Sequence, residues 1–150
     1  MKGALQDRML PFGRTCFGCG GENEHGLRIK SFVEGDEVVC DFDPEPWHIA
    51  APGFINGGVV ATLLDCHSAA AAVHAAYQAE GREVGSAPDL FYVTATLKVD
   101  YLRPTPSGKR LHLRASSTGV EGRKSNVVCS LLADGVETAR AETVFVRVDR

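Results

Sequence analysis

Residues 59–79 constrain this chain more than any other segment. No proline or glycine interrupts them, alanine fills their second half and Gly81 follows, so they read as one long helix. Apolar residues cover nearly its whole circumference rather than a single stripe. Such a helix needs protein around it on most sides. A membrane span is not expected: Asp65, His67 and His74 interrupt the run, and no stretch offers the roughly 20 uncharged apolar residues a span requires. The rest of the chain must therefore wrap this helix.

The flanking segments supply strands to do so. Residues 27–33 alternate for part of their length, Glu34-Gly35-Asp36 turns, and residues 37–42 are again strand-like. Asp43-Pro44-Glu45-Pro46 ends that hairpin. After the helix, residues 93–101 alternate with period two until Pro104-Thr105-Pro106-Ser107-Gly108 stops them. Residues 111–116 alternate next, the pattern lapses through Ser117-Thr118-Gly119, and Glu121-Gly122 turns. Residues 126–132 and 139–148 follow, joined by Asp134-Gly135. Short connections make these strands antiparallel. Residues 1–26, without a clean period, read as an arm packing on a single domain of residues 27–150. The expected fold is α+β, an antiparallel sheet of about six strands wrapped around one long central helix.

Composition removes several function classes. A length of 150 residues fits one core. With 19 acidic and 16 basic residues the net charge is -3, so no global positive field gathers phosphates and nucleic acid is not an expected partner. Five cysteines, odd in number and sparse, do not make a disulfide-stapled secreted scaffold. Residues 1–8 carry a cation but no apolar run, so a signal peptide is not expected, and the expected setting is cytoplasmic. Gly-x-Ser-x-Gly, Gly-x-Gly-x-x-Gly and His-Glu-x-x-His are all absent, and Gly122-Arg123-Lys124-Ser125 lacks the spacing of a P-loop.

A few residues stand out against that background. Asp65 is a carboxylate in an apolar helix, costly to bury without partners or a task. It is either bonded to a neighbouring hydroxyl or a reacting group. Gly57 and Gly58 open the helix, where free N–H groups make an anion site, although paired glycines also simply permit a tight turn. Gly57 and Asp65 lie eight positions apart, about 12 Å along a helix axis, so one carbonyl cannot be served by both within one chain. If both act on one substrate, two copies must pair.

Thr94 shares the polar parity of its strand with Thr96, Lys98 and Asp100, where a solvent-facing hydroxyl is the commoner outcome. Cys16-x-x-Cys19 with His25 supplies three candidate zinc ligands where a closed structural site needs four, so a packed turn and no metal are expected. Cys66 and Cys129 read as small core fillers, Cys66 on a different helical face from Asp65. Arg103, Lys109 and Arg110 surround the proline-rich turn, and Arg123, Lys124 and Ser125 form a second group. Both groups flank one strand and are expected to converge on one rim.

Four blocks also resemble a known family. Cys16-Phe17-Gly18-Cys19-Gly20-Gly21-Glu22-Asn23-Glu24-His25-Gly26-Leu27 is similar to the amino-terminal signature of many hotdog-fold acyl-CoA thioesterases. Pro52-Gly53-Phe54-Ile55-Asn56-Gly57-Gly58-Val59-Val60-Ala61-Thr62-Leu63-Leu64-Asp65 resembles the helix-entry block of their PaaI-like branch. Tyr101-Leu102-Arg103-Pro104 and Glu121-Gly122-Arg123-Lys124 resemble a strand ending and a later turn found there. The resemblance implies hydrolysis of an acyl-CoA thioester without a cofactor, by a homodimer or a dimer of dimers. Under it Asp65 is the base or nucleophile, Gly57 the oxyanion donor, Thr94 a positioning hydroxyl and Asn56 a hydrogen-bond partner of the substrate. Gly58, His48, Arg103, Arg123, Lys124 and Ser125 are the expected substrate contacts.

Two positions depart from the family. Asn56 stands where it usually has His, and Ala50 where an Asn or Gln is common, with His48 a candidate substitute nearby. These departures leave a second reading open, a non-catalytic acyl-CoA or lipid-binding module. A hotdog dehydratase would need a His near the helix start, which Asn56 does not provide.

Overall fold

The structure, a computed structural model, describes residues 3–9 and 11–149, apart from the side chains of residues 11 and 12. A short helix α1 (Leu5–Arg8) and a 3-10 turn (Pro11–Thr15) precede β1 (Phe32–Glu34) and β2 (Glu37–Phe42). The long helix α2 (Gly57–Ala79) follows, then β3 (Tyr92–Tyr101), β4 (Leu111–Glu121), β5 (Lys124–Ala133) and β6 (Val136–Arg147). Among the described residues the six strands form one antiparallel sheet in the order β1-β2-β4-β5-β6-β3, curled around α2. This is a hotdog fold.

The centre of the molecule is where α2 meets the middle strands. Leu63 and Leu64 are fully buried and join one core with Leu111, Leu113 and Leu131. Each such leucine contributes about 2 kcal/mol by leaving water. Ala70, Ala71 and Ala72, also buried, let the sheet pack closely on the second half of the helix. By length and composition α2 could cross a membrane, but its apolar residues are spent on this core. The wrapping is incomplete. Thr62, Asp65, Cys66 and Ala69 are half-buried along one side, contrary to the expectation of a helix covered nearly all round.

Several element boundaries differ from those expected, each for a local reason. Leu27, Ile29 and Ser31 are buried in the expected alternation, yet the amides of Leu27 and Ile29 bond to the carbonyls of Phe17 and Gly18. The arm, not β2, is thus their partner, which shortens β1. α2 begins two residues earlier than expected because Asn56 caps it. β4 runs on to Glu121 through an irregularity between Ser117 and Gly119, which hides the strand from a strict period-two reading.

The arm is docked by a polar network. Leu5 is fully buried in the core. Gln6 donates to Ser31 Oγ at 2.9 Å, and Ser31 Oγ lies 2.8 Å from His67 Nδ1 within α2. His67 Nε2 donates to the carbonyl of Val38 at 2.8 Å, since a carbonyl can only accept. The imidazole is therefore saturated, and burial holds its pKa down to about 4.

Candidate active site

The start of α2 is built by Asn56. Its Oδ1 accepts from Gly58 N at 2.8 Å and Val59 N at 3.2 Å, an N-cap that leaves the first helical amide, Gly57 N–H, without an acceptor among the described residues. Two expectations change here. Asn56 spends its carbonyl oxygen on the helix, leaving only its NH2 for a substrate. The Gly58 amide is likewise occupied, so of the first three helical amides only that of Gly57 is free among the described residues. Tyr101, whose hydroxyl donates to Gly57 O at 2.6 Å, lays its ring over this glycine. Sequence reasoning passed over Tyr101 as a strand terminus.

Asp65 lies two turns further along, about 12 Å down the axis. Thr94 donates to Asp65 Oδ1 at 2.8 Å, so the structure joins two residues expected to work together. The route to this contact was not legible. Thr94 pairs with Phe145 on β6 and Thr96 with Val144, which leaves Ala95 as the extra residue of a bulge. Phe145 faces the core and Val144 lies on the opposite face, so the bulge sends Thr94 inward while Thr96 points out. The shared polar parity expected of Thr94, Thr96, Lys98 and Asp100 is corrected accordingly.

Burial pushes the Asp65 carboxyl above the usual carboxylate range. The Thr94 hydrogen bond pulls it down, and negative charge at Cys16 pushes it up again. The carboxylate opens into a mainly apolar groove of about 320 Å³, whose walls include Met9, Val73, Phe91 and Tyr92. Cys16, Cys19 and Cys66 line the same groove. Cys66 is thus not a core filler on a separate face; the turn between neighbours still leaves both side chains on the open side of α2. Cys129 is buried in the core as expected. The zinc alternative built on His25 is corrected in its third member: His25 is exposed, and the thiol that joins Cys16 and Cys19 is Cys66.

The other expected contacts lie elsewhere. His48 lies against the Phe42 ring and edge-on to Trp47 in a separate groove, and its Nδ1 accepts from Glu45 N at 2.9 Å. Its carbonyl accepts from Asn56 N at 3.0 Å, so this loop braces the helix start through its backbone. Ser125 is corrected outright: it is fully buried and donates to the Ala72 carbonyl at 3.0 Å, because strand alternation turns it inward while Lys124 faces out. Arg123 reaches Arg147 O at 2.8 Å and Asp149 at 3.4 Å. Lys109 pairs with Asp134, and Arg110 grips both oxygens of Asp43.

The two basic groups do not share a rim. They sit at opposite ends of β4, whose eleven residues span roughly 33 Å at about 3.3 Å each. Within one chain, Arg103 and Arg123 therefore cannot hold one nucleotide together.

An Asp held in a half-open apolar groove, with a hydroxyl on one oxygen, can accept a proton from water or attack a carbonyl carbon. A free amide at a helix start can stabilise an oxyanion. Comparison with known proteins places the chain in a family. The thioesterase superfamily profile matches residues 52–140, which include both Gly57 and Asp65, and the chain belongs to that superfamily. The acyl-coenzyme A thioesterase THEM4 of Xenopus laevis is 31% identical over 113 residues, covering 74% of this chain and 45% of that protein. The chain spans about half the length of the curated relatives it matches. A thioesterase superfamily protein from Shewanella loihica PV-4 is 35% identical with a TM-score of 0.67, covering 86% of this chain and 98% of that one. The PaaI protein of E. coli, at 16% identity and a TM-score of 0.66 over 82% of this chain and 81% of that one, shares the fold.

Proposed function

We propose that this chain hydrolyses an acyl-CoA thioester to a free carboxylic acid and coenzyme A, as a homodimer with two composite sites. The observation that carries the reading is the Thr94–Asp65 pair in the wall of an apolar groove. Asp65 takes a proton from a water whose oxygen attacks the thioester carbonyl. The oxyanion so formed is held by the free amide of Gly57, and collapse expels the coenzyme A sulfur, which takes up the proton. Names of relatives support the substrate class, while the apolar groove suits an acyl group.

The separation of Gly57 from Asp65 supports a second chain, which brings its own Gly57 to this chain's Asp65. The long edge strand β3 supports the same arrangement: Val93 and Tyr101 are exposed, and its outer edge is unpaired among the described residues. Pairing also offers Arg103 and the Arg123–Lys124 turn from different chains to one nucleotide. A second reading, an acyl-CoA or lipid-binding module without turnover, is favoured by Asn56, which caps the helix and cannot titrate near neutral pH.

Thiol release measured over short, long and aromatic acyl-CoAs, with Asp65→Asn alongside, separates the two readings. Release that the substitution abolishes supports the hydrolase. Binding without release, indifferent to Asp65→Asn, supports the module. Mixing Gly57→Pro with Asp65→Asn chains tests the composite site, since one site of a mixed dimer keeps both groups. Full absence of complementation would remove the two-chain arrangement.

A further inference from the structure

The hydrolytic scheme makes no use of the three thiols beside Asp65. Cys16 and Cys19 come from the arm and Cys66 from α2, fifty residues away from Cys16, yet their sulfurs lie within 4.8 Å of one another. Cys16 Sγ and Cys66 Sγ are 3.6 Å apart. Three thiolates around one tetrahedral ion, with metal–sulfur bonds of about 2.3 Å, place their sulfurs about 3.8 Å apart. The observed spacing needs little adjustment to reach that value.

The loop is shaped around the cluster. A Cβ at Gly18 would meet Cys66 Sγ at 2.2 Å, and one at Gly20 would meet the Cys16 amide nitrogen at 2.4 Å. Only glycine at both positions lets the arm close over the helix and present two sulfurs to the third. The turn that carries Cys16 and Cys19 is closed by Gly20 N donating to Cys16 O at 2.8 Å.

We propose that Cys16, Cys19 and Cys66 form a binding site for a thiophilic d10 cation such as Zn2+. Thiolate is the ligand class that selects such ions over Mg2+ or Ca2+. The thiol protons leave to solvent as the ion binds, which makes affinity rise with pH. All three cysteines line the groove that Asp65 also lines, so a water from that groove completes the tetrahedron. If the thioesterase reading holds, occupancy of this wall lowers turnover; the binding itself does not depend on that reading.

The test uses the full chain, reduced and freed of metal with a chelator that is then removed. Cd2+ titration read by its ultraviolet thiolate-to-metal charge-transfer band is expected to saturate at one equivalent, and Zn2+ is expected to displace it. Cys16→Ser, Cys19→Ser and Cys66→Ser should each weaken binding by about 100-fold or more, beyond the loss expected for an outer-shell partner. Cys129→Ser should leave it unchanged. Thermal melting of the apo proteins separates lost ligands from lost folding, and Cys16→Ser, on the surface arm, is the variant least exposed to that ambiguity. No band with all five thiols free, or a band undiminished in a folded Cys66→Ser chain, overturns the site.

Discussion

Asp65 and His67 sit two residues apart in the same apolar helix, and they differ in what their surroundings leave undone. His67 is fully buried with both ring nitrogens engaged, one by the Ser31 hydroxyl and one by the Val38 carbonyl. Asp65 is half-buried, receives one hydrogen bond on one oxygen, and faces a groove. A saturated polar group in a core fixes how elements dock, here the arm and β2 against α2. A group with acceptor capacity to spare can act on a ligand. Both residues look alike as interruptions of an apolar run; saturation separates a docking residue from a reacting one.

That contrast can be broken experimentally, beginning with turnover. Asp65→Asn should lower kcat for acyl-CoA hydrolysis by about 10³-fold, within the range for loss of a positioned general base, while leaving the thermal midpoint nearly unchanged. Comparable losses of rate and stability would make Asp65 a second docking residue. Gly57→Pro comes next, at about 10²-fold in kcat, as for loss of one oxyanion donor. Proline suits the first helical position, and Asn56 already has the extended backbone (φ -58, ψ 133) that a following proline requires. The substitution thus deletes the N–H while keeping the cap, and unaltered kcat would dismiss Gly57 as donor.

Thr94→Val should lower kcat by about 10-fold, equivalent to one hydrogen bond to a charged group, with Thr94→Ser restoring most of it. Equal activity of the two variants would assign Thr94 to packing alone. The smallest effect on turnover is expected at His67, where the response is in stability. Its folded pKa of about 4 lies below the ordinary 6.5. The unfolded chain therefore binds more protons between those values, and stability present above about pH 6.5 declines as pH falls toward 4. Denaturant midpoints of the apo protein measured across that window should decline more steeply for wild type than for a folded His67→Gln variant. Parallel curves would show that the imidazole is not held neutral.

Much of this molecule was legible before its structure. The central helix, the leading hairpin and the four later strands follow from side-chain period and turn chemistry, which act over a few residues. Asp65 and Gly57 stand out because their residue types conflict with, or open, that helix. What escaped is what depends on a partner distant in sequence. The direction of Thr94 follows from an extra residue opposite β6, and no pattern within β3 announces it. Ser125 reads as a surface contact from its neighbours' charge, whereas the alternation of β5 turns it to Ala72. The two basic groups share a rim only until the length of β4 sets them at opposite ends.

The sequence by itself determined that a sheet must enclose an apolar helix and that one carboxylate in that helix needed an explanation, because periodicity and burial cost are local properties. Only the tertiary structure decided which polar groups are saturated and which are left open. It saturated His67, left Asp65 facing a groove, and drew Cys66 to two thiols from the other side of the chain. The reason is that hydrogen bonding and ligation act over about 3 to 4 Å through space, a distance that spacing along the chain does not specify.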